Sequence, residues 1–240
     1  MTLRLVSYNI RKAVGSDMRR APHRILDLIA RLDADIVVLQ EADKRLGARP
    51  SALPHGLIER ETDFSVVPLA ETDVSLGWHG NAILTRKGIS VRDTERLPLP
   101  GLEPRGAVLA DLVTPEGPLL VVGAHLGLLR GWRRRQLRAI LDHLDDLRPD
   151  GGATSVIAGD FNEWSWTKGL ETLGDSHRVV IPGRSFPAGR PVAPLDRIAH
   201  GDRIEILGSG VDTSPAARHG SDHLPVWADL RIRNDGESQG

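Results

Sequence analysis

Short apolar, β-branched runs recur along the chain, and several end in asparagine, an acid or histidine. Residues 3–10 read as a buried strand, and residues 22–32 place Ile25, Leu26, Leu28, Ile29 and Leu32 near one helical face. IVVLQE at 36–41 reads as a second strand, so the chain opens strand, helix, strand, which is α/β grammar. A Pro/Gly-containing loop is expected over 47–56, then strands in FSVVPLA (64–70) and GNAILTR (80–86). RGAVLADLVT and PLLVVGAHL read as two strands joined by the turn segment PEG. A long helix over 133–147 turns Leu137, Ile140, Leu141 and Leu144 inward, with Leu147 continuing the stripe. SVIAGDFN, residues 195–198, IEILGSGVD and LPVWADLRI complete the strands, and residues 234–240 read as a disordered tail. Many strands with few helices favour one domain, residues 1–233, built of two packed sheets with helices outside.

Size and charge narrow the classes. The chain's 240 residues suffice for one large α/β domain with a real core, or for two small ones. Its 31 basic and 32 acidic residues give a formal charge of −1, so no global grip on nucleic acid is advertised, although a local patch can still supply one. Cysteine is absent, which rules out disulfides and thiol catalysis and fits a reducing compartment. The start reads as a strand rather than a signal peptide, and no run approaches the roughly 20 apolar residues that span a bilayer. A soluble, cytoplasmic monomer is the expectation.

The strand ends share one chemical vocabulary: Asn9, Glu41, His79 and Asn81, His125, Asp160 and Asn162, Asp196, and the pair Asp222–His223. Any one of them can be a turn former. Together they call for convergence, because ligand sites in α/β folds favour strand ends. Such a set suits phosphoester hydrolysis. Glu41 offers a hard oxygen ligand for Mg²⁺ or Mn²⁺. Asp160 and Asn162 point to the same side of an extended segment, where the acid can orient water and the amide can donate to phosphate. Asp196 can fix the tautomer of His223, which then serves as general base or as transition-state donor. His125 can donate to a non-bridging phosphate oxygen. No HExxH, Walker A loop, GxGxxG or GxSxG elbow occurs, and the absence of cysteine together with the carboxylate and amide content favours a hard cation over zinc.

YNI at 8–10, QE at 40–41, GNAIL at 80–84, AHL around His125, GDFN at 159–162, LDRI at 195–198 and GSDHLPV at 220–226 together resemble the endonuclease/exonuclease/phosphatase superfamily. The resemblance spans nearly the whole chain in matching order. It implies a four-layered α-β-β-α sandwich, DNase I-like, that hydrolyses phosphoesters with Mg²⁺, Mn²⁺ being a substitute. Carried over, Asn9 organises the metal and the catalytic aspartate, Glu41 is the principal metal ligand and Asp222 lies at the metal edge. Asp160 and Asn162 attend the nucleophilic water and phosphate, Asp196 and His223 form the acid–base couple, and His125 contacts phosphate. Arg105 resembles a phosphate-binding arginine, and His79, before Asn81, a site-facing position.

The fold family serves many phosphoesters, so the loops must choose among them. Arg130, Arg133, Arg134, Arg135 and Arg138 cluster after AHLGLL, either as contacts to a nucleic-acid backbone or lipid headgroup or as a solvated helix start. Trp164 and Trp166 follow the DFN segment and can stack on a base, touch acyl chains or pack the loop. No hydrophobic anchor or long apolar loop points to a membrane, and little length is left for insertions that embrace DNA. The expected substrate is a nucleic-acid or phospholipid phosphodiester, with a phosphomonoester or a noncatalytic phosphate-binding module as alternatives.

Overall fold

A computed structural model describes residues 2–147, 154–174 and 176–233. Its first six strands are β1 (Leu3–Asn9), β2 (Ile36–Gln40), β3 (Phe64–Val66), β4 (Ala82–Arg86), β5 (Ser90–Leu99) and β6 (Arg105–Thr114). The next six are β7 (Gly117–His125), β8 (Ser155–Asp160), β9 (Arg178–Val180), β10 (Asp196–His200), β11 (Ile204–Val211) and β12 (Val226–Ile232). Helices α1 (Pro22–Arg31), α2 (His55–Glu61), α3 (Arg130–Leu147) and α4 (Pro215–Gly220) lie between them. The strands form two six-stranded sheets, ordered β11-β12-β1-β2-β4-β3 and β5-β6-β7-β8-β10-β9. Each sheet has one parallel pair at its centre, β1 with β2 and β7 with β8, and antiparallel neighbours around it. Both sheets are therefore mixed, and their central pairs face each other.

Side-chain alternation builds the layers. Leu3 and Leu5 of β1 and Ile36 and Val38 of β2 pack between the sheets against Val108, Val121, Val156 and Ala158. Their neighbours Val6, Tyr8, Val37 and Leu39 face the other way, onto Ile25, Leu28, Ile29 and Ile58 of α1 and α2. On the second sheet, Leu109, Val122 and Ile157 meet Leu137, Ile140, Leu141 and Leu144 of α3. Each such buried side chain contributes roughly 1.5–3 kcal/mol over an exposed one. Three apolar layers thus hold four structural layers together, an α-β-β-α sandwich. Pro22 opens α1 in its first turn, where a missing N–H breaks no helical bond.

Several expectations change in detail. The run at 64–70 yields only the three-residue β3, and the loop over 47–56 ends where α2 begins. β5, β9, α2 and α4 were not expected. β5 is an edge strand of alternating charge, SVRDTERLPL, which carries no apolar run. Leu147 does not continue the buried stripe and is 39 % exposed. The tail at 234–240 lies outside the described residues. Among the described residues, no helix is long and apolar enough to cross a membrane.

Candidate active site

The face that packs the sheets together turns polar at one end. On β1 the inward series Leu3, Leu5 continues as Ser7 and Asn9; on β8, Val156 and Ala158 continue as Asp160. Strand register lines up the second sheet's contribution: His125 of β7 pairs with Asp160 of β8, and Asp160 pairs with Asp196 of β10. Three ionisable side chains therefore stand in a row across neighbouring strands, and Asn9 reaches them from the opposite sheet. Gly159 makes the approach possible: with φ at +155°, an added Cβ would lie 1.8 Å from the Ala124 carbonyl oxygen of β7.

Asp160 is the hub, 2 % exposed. Its Oδ2 accepts a hydrogen bond from Asn9 Nδ2 at 3.1 Å, with His125 Nε2 at 3.4 Å and His223 Nε2 at 3.6 Å. Its Oδ1 accepts the Asn162 N–H at 2.9 Å. Asn162 is itself held by its side-chain amide, which donates to the Leu126 carbonyl at 2.8 Å. His223 Nδ1 lies 2.9 Å from Asp196 Oδ2, an oxygen that also accepts the Ser185 hydroxyl. Phe186 packs on the imidazole, ring centroids 4.9 Å apart, and Trp164 meets Phe186 edge-on at 6.2 Å.

The two imidazoles are driven apart. Burial opposes a charge on His223, but Asp196 and then Asp160 outweigh it and push the ring up to about 10. Burial pushes His125 down to about 3, with Asp160 only partly opposing. One ring is thus held as a cation and the other neutral across the physiological range.

Asp160, Asp196 and His223 each bring a donor atom within 4.8 Å of the others, a set that could coordinate a divalent cation. There a metal competes with a proton, because both nitrogens of an imidazolium are donors. Among the described residues the buried Asp196 Oδ1 has no hydrogen-bond partner, which leaves an acceptor open to a cation or a water. Glu41 and Asp222, expected as ligands, lie outside this cluster. Lys12 contacts Glu41, Arg45 approaches it at 3.5 Å, and Arg11 lies 3.4 Å from Asp222. Two carboxylates at the mouth are thus each matched by a cation of the segment 11–13, whose residues all have φ near +50°. Strained non-glycine backbone of this kind costs roughly 1–2 kcal/mol per residue and gathers at functional sites. Hard oxygens that already attract positive charge fit Mg²⁺ or Mn²⁺.

Beside the row opens a cleft of about 320 Å³, bordered by Glu41, His79, Arg105 and His125 and by Lys44, Arg45 and Arg49. Arg49 donates to His79 Nδ1 at 3.0 Å, so this guanidinium spends a bond on a neutral ring. Burial, Arg49 and Arg105 all push the His79 imidazole down. Arg105 is paired with Glu103 at 2.8 Å.

Two expected contacts lie elsewhere. Asn81 is buried and donates to the Gly106 carbonyl of β6, so it ties the sheets together. Arg133 is 4 % exposed, bonded to Glu163 at 2.7 Å and to the Leu128 carbonyl at 2.6 Å, so it anchors loops inside the molecule. Arg134 is exposed and pairs with Glu171. Sequence reasoning missed Ser185 and Phe186, which lie in an irregular segment with no periodic signal, and the cations Lys12, Lys44, Arg45 and Arg49.

Residues 6–223 match the model of the Endonuclease/Exonuclease/phosphatase family. The uncharacterised protein YbhP of Escherichia coli K12 is 29 % identical, over 96 % of this chain and 97 % of its own. An endonuclease/exonuclease/phosphatase from Bacteroides vulgatus superposes with a TM-score of 0.77 at 17 % identity, over 97 % of this chain and 100 % of its own. The mannosyl-6-phosphatase Bt3783 of Bacteroides thetaiotaomicron gives 0.73 at 17 %, over 96 % and 100 %. The family match starts in β1 and ends on His223 itself, so it contains every strand end that feeds the hub at Asp160. The shared sandwich and that span make this chain a small, YbhP-like member of the endonuclease/exonuclease/phosphatase family.

Proposed function

We propose that residues 1–233 form one catalytic domain that hydrolyses phosphodiesters with a divalent cation. The observation that carries this reading is the row His125, Asp160, Asp196 with a cationic His223 lying over Asp160. Asp160, held by Asn9 and Asn162, orients the attacking water. His223, protonated and braced by Asp196, donates toward the charge that develops on phosphorus-bound oxygen. Ser185 fixes the carboxylate that fixes the ring. Neutral His125 offers a second donor to the phosphate, and Asn162 retains one amide hydrogen for the same oxygen. Glu41, Asn9 and Asp222 would hold Mg²⁺, or Mn²⁺ in its place, and the ion would offset charge on the phosphate. Arg105, Arg49 and His79 border the cleft where the rest of the substrate lies.

A second reading is favoured by one feature. Lys44, Arg45 and Arg49 add positive charge to a small cleft, which suits the dianion of a phosphomonoester. Aryl phosphodiester and aryl phosphomonoester turnover with Mg²⁺ or Mn²⁺ separates the two. We expect diester cleavage that chelation abolishes and Glu41→Gln weakens through its metal dependence. His223→Gln and Asp196→Asn should each lower kcat by about 10²–10⁴-fold with folding intact. Full turnover in either His223 or Asp196 variant would remove the proposed mechanism, and preference for the monoester would select the second reading.

A further inference from the structure

The exposed apolar side chains are not spread evenly over the molecule. β7 and β8 are parallel and end level with each other at His125 and Asp160. The loops that follow them carry Leu128, Leu129, Trp164 and Trp166. Leu102 sits in the turn between β5 and β6, whose strands reach the same level, since Ala107 of β6 pairs with Ala124 of β7. Leu46 follows β2, whose last residue, Gln40, pairs with Asn9. Leu46, Leu102, Leu128, Leu129 and Trp164 are 59–86 % exposed, and Met18, in the segment between β1 and α1, is 70 % exposed; Val74, Trp166, Val192 and Leu207 follow at 42–51 %, and Val113 and Leu147, at the other end of the sheets, at 41 and 39 %. Four separate loops thus raise large apolar tips around one mouth, the mouth of the site.

Cations are interleaved with these tips. Arg45, with a side chain 72 % exposed, flanks Leu46. Arg134 and Arg135 follow Leu129 in the first turns of α3, and Lys168 follows Trp166; all three are exposed. Arg135 stacks over Trp132, which borders one shallow depression with Leu102, Leu128 and Leu129. The loop bearing Trp164 is fixed from below, because Arg197 donates to the Glu163 and Ser165 carbonyls.

We propose that this rim docks on an anionic phospholipid bilayer, so that the site takes its phosphoester from a lipid headgroup. The inference rests on the hydrolytic reading above and names its substrate class. Isolated leucine tips on separate loops suit a deformable surface that admits each one, and flanking arginines and lysine suit anionic headgroups. A nucleic-acid strand would gain from the tryptophans and cations but nothing from exposed leucines, which neither stack nor hydrogen-bond. No single loop is apolar enough to announce a membrane site. The pattern exists only after folding brings the loops together.

The test is co-sedimentation of the full chain with vesicles of phosphatidylcholine alone and of phosphatidylcholine with phosphatidylglycerol. The wild-type chain should partition onto the anionic vesicles and release water-soluble phosphate esters from them. Leu128→Asp with Leu129→Asp should weaken partition at least about tenfold, and Leu102→Asp should do so independently. Both should leave turnover of a soluble aryl phosphodiester unchanged. Absence of partition, partition unaltered in both variants, or preferential capture of single-stranded DNA by the same rim would overturn the proposal. Vesicle binding by a chain inactive on every phosphoester would instead remove the hydrolytic reading and leave the docking surface standing.

Discussion

Asp160 does not choose between two histidines by distance, since His125 and His223 approach it almost equally closely at 3.4 and 3.6 Å. The choice is made by what lies behind each ring. Asp196 stands behind His223 and stabilises its cation, whereas burial holds His125 neutral. Both rings then couple stability to pH, with opposite sign. Unfolded histidine titrates near 6.5. His125 has a depressed folded value, so its contribution is complete above about 6.5 and is lost as the pH falls toward about 3. His223 has a raised folded value, so its contribution is complete below about 6.5 and is lost as the pH rises through about 10. Thermal unfolding followed from mild acid to alkali should show His125→Gln flattening the acid limb and His223→Gln flattening the alkaline limb. Identical limbs in the wild type and both variants would mean that the rings are not separated as the structure has them.

At the scale of elements, the loop after β8 is held by α3 and β10 together. Glu163, 1 % exposed, accepts from Arg130 at 2.9 Å and from Arg133 at 2.7 Å. Burial alone would raise this carboxyl, but the two guanidinium groups and the Ser165 N–H bring it down to about 2. Arg133→Met strands part of that buried charge and should destabilise the chain by roughly 3 kcal/mol in denaturant melts. Adding Glu163→Gln should return some of the loss, because the uncompensated charge goes with it. A single variant as stable as the wild type would make this pair an onlooker. The same residue shows what was legible in the sequence. Arg133 lies four residues before Leu137 and seven before Ile140, on the face that α3 buries, so the helical period already turned it inward. A run of arginines invited a surface reading, and periodicity was the better guide. The strand ends were legible because apolar runs stop there and the polar residues are of chemical types. Ser185 was not, because its role is set by a hydrogen bond to Asp196, eleven residues on, across an irregular segment. β5 and the short α2 and α4 were missed because an edge strand exposes its charges and helices of six or seven residues carry under two turns of pattern.

At the scale of the molecule, the site belongs to neither sheet. Asn9, Glu41 and His223 come from the ends of the first sheet, and His125, Asp160 and Asp196 from the second. Their separation is set by the apolar layer between the sheets, whose thickness therefore fixes the geometry of the site. Gly123 of β7 sits in that layer, two residues before His125. A Cβ there would lie 2.9 Å from Val38 Cγ1 on the facing sheet and 3.1 Å from Val108 Cγ2. Gly123→Ala should push the sheets apart beside the row, costing about 1–3 kcal/mol of stability. A shift of order 1 Å in a reacting geometry costs about a hundredfold in rate, so turnover should fall much further than stability implies. Leu5→Ala supplies the contrast, because it removes volume from the same layer nearer the middle of β1. That cavity should cost about 2–5 kcal/mol while leaving kcat near wild type at temperatures where the variant stays folded. Measured side by side, the less destabilised variant should be the less active one. If loss of activity instead followed loss of stability across the pair, the spacing of the sheets would not be what holds Asn9 and His223 against Asp160.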